Sequence, residues 1–385
     1  MSHAVLSPSA ASRWLACTPS ARLEQRFPDN AGDFAMEGSL AHELGELRLK
    51  RYAGLIDEAE WGKSLSILTG NKFYSEEMET YTEEYSNFVW ERYLLAQKCT
   101  PDAVLRIEEQ LDLRAYVPEG FGTGDAVILA DRTMEIIDLK YGKGVPVSAV
   151  NNKQMMLYAL GALNMFGFMY SVNTVRMTIY QPRLDNISEW EINADELLAW
   201  GEKELRPRAT IAFKGEGTFA PGDHCRFCRA KAQCRALAEQ NLKAAEHEFD
   251  DASLLSDAET ASILARVDTI KNWITAVEEY ALQAALNGKK FPGFKLVEGR
   301  SVRKYADDKA AADILLKNGY QPAAIYEPAK LKNITALEKL LTKKTFSALL
   351  NEVIIKPQGK PTLALETDKR QEWNSVENDF KNVAE

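Results

Sequence analysis

Long apolar runs are scarce in this sequence. The longest extends from Met155 to Tyr170 and is interrupted by Asn164, which makes it shorter than the roughly 20 apolar residues that a membrane-spanning helix needs. The first residues, Met1 to Val5, have neither the basic start nor the long apolar segment of a secretory signal peptide. We therefore expect a cytoplasmic protein with no membrane partner.

Cysteine is also rare, with five in 385 residues, too few to suggest a disulfide framework in a cytosolic chain. Cys225, Cys228 and Cys234 form a tight C-x2-C-x5-C cluster, Cys17 lies far upstream, and Cys99 stands apart. Four thiolates can hold Zn²⁺ or an iron–sulfur cluster, and buried free thiols are the simpler alternative. A structural zinc site usually pairs two C-x2-C segments, and only one is present.

A nucleotide-binding glycine loop is absent too. Gly142-Lys143-Gly144 hints at a phosphate loop, but the full G-x4-G-K-[ST] pattern is missing, so the chain has no recognisable ATPase motor. The formal net charge of −9 argues against a protein that coats DNA by charge alone. It does not exclude nucleic-acid binding, because a local basic patch or a bound metal can attract phosphate.

What is present is the composition of an ordinary globular protein, with 45% hydrophobic and 27% charged residues. The periodicity predicts four helices: from Ser7 to about Arg26, from near Glu37 onward, from Tyr74 to about Lys98, and from Val150 to Phe166. It predicts four strands: one that begins at Val104, and others over Asp125–Ala130, Thr133–Leu139 and Thr174–Tyr180. Asp131-Arg132 is predicted to join two of these strands as a hairpin. This order indicates an α/β fold with a central mixed sheet flanked by helices.

The chain changes character after about residue 250. Ile263, Val267, Ile270 and Ile274 have the spacing of a long amphipathic helix, and the tail from Lys356 is polar. We predict a first domain over residues 1–245 and a mostly α-helical accessory module with a polar tail over residues 250–385.

Two acids and a lysine mark a candidate catalytic site. Asp138 and Lys140 alternate along one strand, so they share a face about 7 Å apart, and Asp125 is expected to open the neighbouring strand of the hairpin. Two carboxylates are ligands for Mg²⁺ or Mn²⁺, and a lysine beside them can manage the attacking water. Taken alone, an Asp-x-Lys tripeptide occurs by chance in many proteins.

Further residues extend this set. His42 could supply an additional ligand that favours Mn²⁺. Gln154 and Tyr158 are four residues apart and share one helix face, where they can order the lysine or contact the DNA backbone.

In order and spacing, His42, Gly124-Asp125, Asp138-Leu139-Lys140 and Gln154-x3-Tyr158 resemble the motifs of RecB-like PD-(D/E)XK nucleases. The resemblance covers about residues 1–240 and implies a restriction-endonuclease-like core for the first domain. It implies that His42, Asp125, Asp138 and the backbone of Leu139 bind Mg²⁺ or Mn²⁺, and that Lys140 is catalytic. Asp138 stands where other members often carry glutamate.

The cysteines are similar to those of the iron–sulfur members of that family, which include AddB-type subunits and CRISPR-associated nucleases. The resemblance implies that Cys17, Cys225, Cys228 and Cys234 bind a [4Fe–4S] cluster. Basic residues interleave with them, and these either track DNA phosphates or form a solvated helix face: Arg226, Arg229, Lys231 and Arg235.

The function expected from the resemblance is a metal-dependent DNA exonuclease that processes DNA ends in recombination, repair or phage replication. Its partners would be DNA and recombination or replication proteins, and the whole chain looks like a phage-associated family. Two alternatives stay open: a catalytically silent nuclease-fold protein that binds DNA or recruits partners, and a structure-specific endonuclease.

Overall fold

A computed structural model describes residues 4–28, 32–243 and 256–295, together with Lys317. The chain divides into two compact units, Met1–Ala284 and Ala285–Glu385, and the architecture below is that of the first. Most of the predicted accessory module, including its polar tail, lies outside the described residues, so the predicted boundary near residues 245–250 stays a prediction. Among the described residues, no helix combines the length and the apolar character needed to cross a membrane.

The described residues form eleven α-helices and one five-stranded sheet. The helices are α1 (Ala11–Ala16), α2 (Ser20–Glu24), α3 (Asp33–Tyr52), α4 (Glu58–Thr69), α5 (Glu76–Cys99), α6 (Lys153–Phe166), α7 (Ala194–Trp200), α8 (Arg206–Lys214), α9 (Arg235–Lys243), α10 (Asp257–Leu264) and α11 (Val267–Leu286). The strands are β1 (Val104–Asp112), β2 (Phe121–Leu129), β3 (Thr133–Leu139), β4 (Thr174–Gln181) and β5 (Asn186–Asn193).

The sheet has the order β1-β2-β3-β4-β5 and is mixed, as predicted. Only the β3–β4 pair is parallel, and α6 makes the crossover that a parallel pair requires. The predicted hairpin is confirmed: Ala130 N–H donates to Thr133 O at 3.2 Å, and Arg132 takes a left-handed φ of 68° in the turn. The α/β fold class with a central mixed sheet is therefore confirmed.

Helices cover both faces of the sheet. One apolar cluster joins Val127, Ile136 and Met177 to α1, α6 and α8, and the other joins Ile128 and Ile137 to α3 and α5. This alternation along β2 and β3 follows from the opposite directions of successive side chains in a strand.

A buried ion pair fixes α5 against the second face. Glu135 of β3 is 5% exposed and accepts hydrogen bonds from Arg92 Nη2 at 2.8 Å and Thr178 Oγ1 at 2.9 Å. A carboxylate buried this deeply is tolerated because it is paired and hydrogen-bonded.

Several sequence-based element predictions need correction. The single helix predicted from Ser7 to Arg26 is two helices, because the backbone at Cys17 is not helical (φ −126°, ψ 85°) and Thr18 is restricted by the proline after it. The helix around Ile263 and Val267 is likewise divided, between α10 and α11. The sequence analysis also gave no element for α4, for α7 to α9 or for the edge strand β5, whose alternating exposed acids weaken its apolar pattern.

Gly161 lets α6 lie close to β1, and replacing it with alanine is expected to destabilise the fold. A Cβ atom at Gly161 would lie 2.9 Å from Leu111 Cβ and 3.0 Å from Leu113 Cδ2, so Gly161→Ala should cost about 1–3 kcal/mol through overpacking. Gly62→Ala in α4 is the matched control, because a Cβ there meets nothing within 4 Å and alanine favours a helix by up to about 1 kcal/mol. Urea unfolding of both variants tests this, and a Gly161→Ala protein as stable as wild type would contradict the packing argument.

Candidate active site and cysteine cavity

The two predicted acids meet near the ends of β2 and β3. Ala126 pairs with Ile137 across the two strands, and Asp125 Oδ2 accepts the backbone N–H of Leu139 at 2.7 Å. Asp125 and Asp138 are 9% and 2% exposed. Asp125 does not open its strand as predicted, since β2 begins four residues earlier at Phe121, but the expected approach of the acids to one end of the sheet is found.

Lys140 follows β3 and is held between two partners. Its Nζ lies 2.7 Å from Asp138 Oδ2 as an ion pair and donates to Gln154 Oε1 at 3.1 Å. The Nε2 of Gln154 in turn donates to Tyr158 OH at 3.0 Å and to Asp138 Oδ1 at 3.3 Å. The predicted Gln-x3-Tyr pair therefore orders the lysine–aspartate pair.

The position of Gln154 is set by the start of α6. Asn152 is the N-terminal cap of this helix, and its side chain accepts the backbone N–H groups of Gln154 and Met155. Capping by asparagine satisfies N–H groups that would otherwise lack a partner. The helix continues through an apolar stretch from Met155 to Ala162 that is buried throughout, so Gln154 points to the sheet end from an anchored first turn.

Two further donors complete the site. His42 of α3 places Nδ1 3.2 Å from Asp125 Oδ2. Ligand atoms of His42, Glu108 and Asp125 all lie within 4.8 Å of one another. Among the predicted ligands, His42 and Asp125 thus lie together with Glu108, Asp138 is not part of this group, and Leu139 contributes its backbone N–H to Asp125.

Glu108 was not predicted as a site residue. Its φ of 48° is left-handed, an unusual conformation for a glutamate in a strand. Leu105 and Ile107 before it pack toward α3 and α5, whereas Leu111 and Leu113 after it pack toward α6. Odd-numbered side chains of β1 therefore point to one face of the sheet before Glu108 and to the opposite face after it. A prediction based on strict alternation of side chains does not include such a change. The only sequence signal is a pair of acids, Glu108 and Glu109, inside an otherwise alternating strand.

The site brings acidic and basic side chains close together in a buried position, and this shifts their pKa values. Burial and the charge of Asp125 raise the pKa of Glu108 to about 8. Burial acts to lower the pKa of His42, but the charge and hydrogen bond of Asp125 outweigh it and raise that pKa to about 9. Burial also raises the pKa of Asp138, against the opposing charge of Lys140, while His42 outweighs burial and lowers the pKa of Asp125.

This donor set fits a divalent cation. Protons are held on His42 and Glu108, which face Asp125, and a metal ion that binds there replaces such protons. Asp138 Oδ2 is buried, and its partner is the ammonium group of Lys140 at 2.7 Å. Carboxylate oxygens with an imidazole are donors for which Mg²⁺ and, with the histidine, Mn²⁺ are suited.

The four clustered cysteines line a single cavity elsewhere in the fold. Cys17 caps the end of α1, Cys225 lies in a 3₁₀ turn (Asp223–Phe227), and Cys228 and Cys234 follow before α9. The enclosed space amounts to about 20 Å³ and is partly open to solvent. Cys99 is exposed at the end of α5 and does not line this cavity.

Hydrogen bonds hold the two sides of the cysteine cavity together. The buried Glu24 accepts from Arg13 Nε at 2.7 Å and from the backbone N–H of Arg229 at 2.8 Å. Thr18 Oγ1 donates to Glu216 O at 2.7 Å, and Arg22 Nε donates to Phe213 O at 2.6 Å. The N-terminal helices are thereby fixed to the segment that carries the other three cysteines.

Burial disfavours the thiolate form of two of these cysteines. Burial, followed by the charge of Glu24, raises the pKa of Cys228 to about 12, and burial also raises the pKa of Cys225. Within the described part of the chain, no three donors from this cavity gather within 4.8 Å as those of His42, Glu108 and Asp125 do.

The basic residues between the cysteines have mixed surroundings. Arg226, Arg229 and Arg235 are exposed, and the half-buried Lys231 donates from Nζ to Arg226 O at 3.0 Å. Their predicted contact with DNA phosphates stays a prediction. His224, to which the sequence assigned no role, has its side chain in the lining of the cysteine cavity.

Comparison with known proteins gives two results. The crystal structure of SSO0001 matches with 17% sequence identity over 51% of this chain and 85% of that chain, at a TM-score of 0.21; at that score the likeness supports no conclusion about fold or activity. The sequence model of DUF2800, described as a protein of unknown function, matches residues 3–371. Because that match extends over nearly the whole chain, this protein belongs to the DUF2800 family.

Proposed function

We propose that this protein is a metal-dependent DNA nuclease of the RecB-like PD-(D/E)XK type, acting as an exonuclease on DNA ends. The observation that carries the proposal is the convergence of Asp125, Asp138 and Lys140 on two paired strands, with His42 against Asp125. The site combines two buried acids, a lysine paired with one of them and a histidine beside the other. Such clusters of perturbed groups are typical of catalytic sites.

The metal ligands would be His42, Asp125, Asp138 and the backbone carbonyl of Leu139, with Glu108 added from the structure. A divalent cation bound there supplies a nucleophile from water at neutral pH and stabilises charge on the phosphate. Hydrolysis forms one bond from a water oxygen to phosphorus and breaks one bond from phosphorus to a deoxyribose oxygen, which takes up a proton.

Lys140 has the position needed to hold that water and offset the developing negative charge. Its ammonium is restrained by Asp138 and Gln154, so its orientation does not have to be selected when substrate binds. Preorganised positive charge of this kind is a large part of catalysis at phosphate groups. Tyr158 acts through Gln154 and is a positioning residue.

For the cysteines we propose a [4Fe–4S] cluster with a structural role, held by Cys17, Cys225, Cys228 and Cys234. The proposal is supported by the position of Cys17 beside Cys225, Cys228 and Cys234, some two hundred residues later in the sequence, around one cavity. The group would fasten α1 to the segment after the sheet.

Removal of the Glu108 charge is expected to weaken metal binding. Because this carboxylate lies beside Asp125 and His42, Glu108→Gln should lower Mn²⁺ affinity by roughly 10–100-fold, the range found when groups around a metal site are removed. Glu109→Gln is the matched control from the next position of the same strand. Titration with Mn²⁺, followed by the EPR signal of the free ion, measures both variants, and equal affinities would remove Glu108 from the site.

The test of the function uses the full chain, purified without oxygen. Single- and double-stranded linear DNA, labelled at either end, is incubated with the protein and Mn²⁺ or Mg²⁺, and covalently closed circular DNA is treated in parallel. Iron, sulfide and zinc are measured in the same protein preparation. Nucleotides released from linear DNA alone support the exonuclease. Cutting of the circle would favour the structure-specific endonuclease instead, and binding without cleavage in either metal would favour the catalytically silent protein that recruits recombination or replication partners.

A further inference from the structure

A short exposed loop beside the proposed catalytic lysine is held in place by a buried glutamine. Residues 142–146, called the 142–146 loop below, are all exposed. Gln181, the last residue of β4, is 2% exposed and donates from Nε2 to the carbonyl oxygens of Gly142 at 2.8 Å and Val145 at 3.1 Å. Its Oε1 accepts the backbone N–H of Val147 at 3.1 Å. One buried side chain thus fixes the loop at both ends.

Neighbouring residues add further anchors. Asn186 Nδ2 donates to Val147 O at 3.0 Å, and the guanidinium of Arg183 lies over the ring of Tyr141, 4.5 Å from its centroid. Exposed loops are usually more mobile than the elements that they connect. The 142–146 loop is instead held by polar contacts on both sides, so little entropy is lost when a ligand binds to it.

The loop presents hydrogen-bond donors and a positive charge to solvent. Among the described residues, the backbone N–H groups of Gly142, Lys143 and Gly144 have no backbone acceptor. Lys143 Nζ lies 3.6 Å from Glu77 Oε2, which is too long for a hydrogen bond. The same oxygen lies 3.5 Å from Arg183 Nη2, so Glu77 is shared between two cations and the Lys143 ammonium keeps donors for another acceptor.

The chain places these donors close to the proposed catalytic site. Consecutive Cα atoms are about 3.8 Å apart, so the Cα of Lys143 lies at most about 11 Å from that of Lys140. A DNA strand with one phosphate at Lys140 carries its next phosphates on either side of it. Phosphate oxygens of DNA are commonly bound by lysine and by backbone N–H groups, and successive N–H groups in a turn form sites for anions.

We infer that the 142–146 loop binds a DNA phosphate beside the cleavage site through Lys143 and the backbone N–H groups, and that Gln181 is the positioning residue that holds this loop. The inference rests on the proposed nuclease and names a contact for its substrate. The two glycines leave the approach open, because a Cβ atom at Gly142 or Gly144 would meet nothing within 4 Å. The Gly-Lys-Gly sequence then serves phosphate binding without an ATPase motif.

DNA binding by the full chain tests the role of Lys143. Fluorescence anisotropy with labelled DNA, in Ca²⁺ so that binding is followed apart from Mn²⁺-dependent cleavage, gives the affinity over a range of salt concentrations. Lys143→Gln should lower the affinity about tenfold, the effect of one hydrogen bond to a charged group, and make the slope of log affinity against log salt shallower by about 1. Lys63→Gln is the matched control at an exposed position of α4 and should change neither quantity.

A double-variant comparison tests the role of Gln181. Gln181→Leu removes its three hydrogen bonds to the loop and should weaken DNA binding severalfold in the wild-type background. Because Gln181 acts through the loop, the same change should have little further effect in the Lys143→Gln background. Gln181→Glu, which keeps the acceptor for Val147, is examined beside it in case the leucine variant does not fold. Equal losses in both backgrounds would show a purely structural role and overturn the positioning.

Cleavage by the wild-type chain in Mn²⁺ separates this inference from the proposed function. Cleavage by wild type together with unchanged DNA affinity and salt slope in Lys143→Gln would overturn the loop contact and leave the nuclease in place. A weaker, less salt-dependent Lys143→Gln without cleavage by wild type would support the loop contact and overturn the nuclease. A wild-type chain that binds no DNA would overturn both.

Discussion

Replacement of Asp138 with asparagine is expected to abolish DNA cleavage and leave DNA binding intact. Asp138 contacts Lys140 at 2.7 Å and Gln154 at 3.3 Å, so the change removes a metal ligand and the partner of the lysine together. Metal-ion stabilisation of a transition state amounts to several kcal/mol, which corresponds to a rate loss on the order of 10³-fold.

The fold should survive this change. Burial raises the pKa of Asp138, which means that the folded protein disfavours the charge at this position. Removing that charge relieves the cost, although it also leaves Lys140 with Gln154 as its remaining partner. We therefore expect a thermal midpoint no lower than that of wild type.

Single-turnover cleavage and a DNA-binding titration measure the two effects separately. Asp131→Asn is the control, because it changes the same residue type at an exposed turn between β2 and β3. Wild-type cleavage by Asp138→Asn would refute the catalytic assignment. Loss of binding together with loss of cleavage would show that Asp138 supports the structure of the site and not its chemistry alone.

Replacement of Cys17 and Cys228 with alanine in one protein should remove the metal group. These two buried cysteines come from the two segments that meet at the cavity, so the variant keeps two of the four proposed ligands. The expected iron content falls from about four per chain to below one. Binding free energy at a metal site contributes to folding, and a loss of about 3 kcal/mol would lower the midpoint by roughly 6–12 °C.

The loss of structure in this double variant should be confined to the segment that carries Cys225, Cys228 and Cys234. The sheet and α3 to α6 form two apolar clusters that do not include the cavity-lining cysteines, so the circular dichroism of the core should be retained. Limited proteolysis should cut first between residues 217 and 243. Cys99→Ala is the matched control at an exposed position; if it lost as much iron as the double variant, the assignment of the ligands would be wrong.

Several parts of the site could be predicted from the sequence because they are local. Asp138 and Lys140 are two residues apart in a strand, and Gln154 and Tyr158 are four apart in a helix, so the periods of the two structures place each pair on one face. The hairpin turn at Asp131-Arg132 brings Asp125 to the neighbouring strand. These relations depend on short stretches of chain, and each pair is found together in the structure.

The unpredicted parts depend on contacts between distant segments. Glu108 lies in the site because its left-handed backbone reverses the direction in which the side chains of β1 point. The pattern of apolar residues does not show the φ angle of one residue. His224 was assigned no role because its neighbours in the cavity include Cys17, over two hundred residues earlier in the chain. Edge strand β5 was missed because burial on a sheet edge is partial and its acids break the apolar pattern.

The mixed α/β order, the strand and helix that carry the acids, the lysine and the glutamine, and the grouping of three cysteines were all readable from the sequence. The fold was needed to show that Asp125 accepts the N–H of Leu139, that Glu108 joins His42, and that Cys17 and His224 share a cavity. The difference lies in the range over which the interactions act. Backbone periodicity acts over a few residues, whereas packing and charge act between residues that only folding brings together.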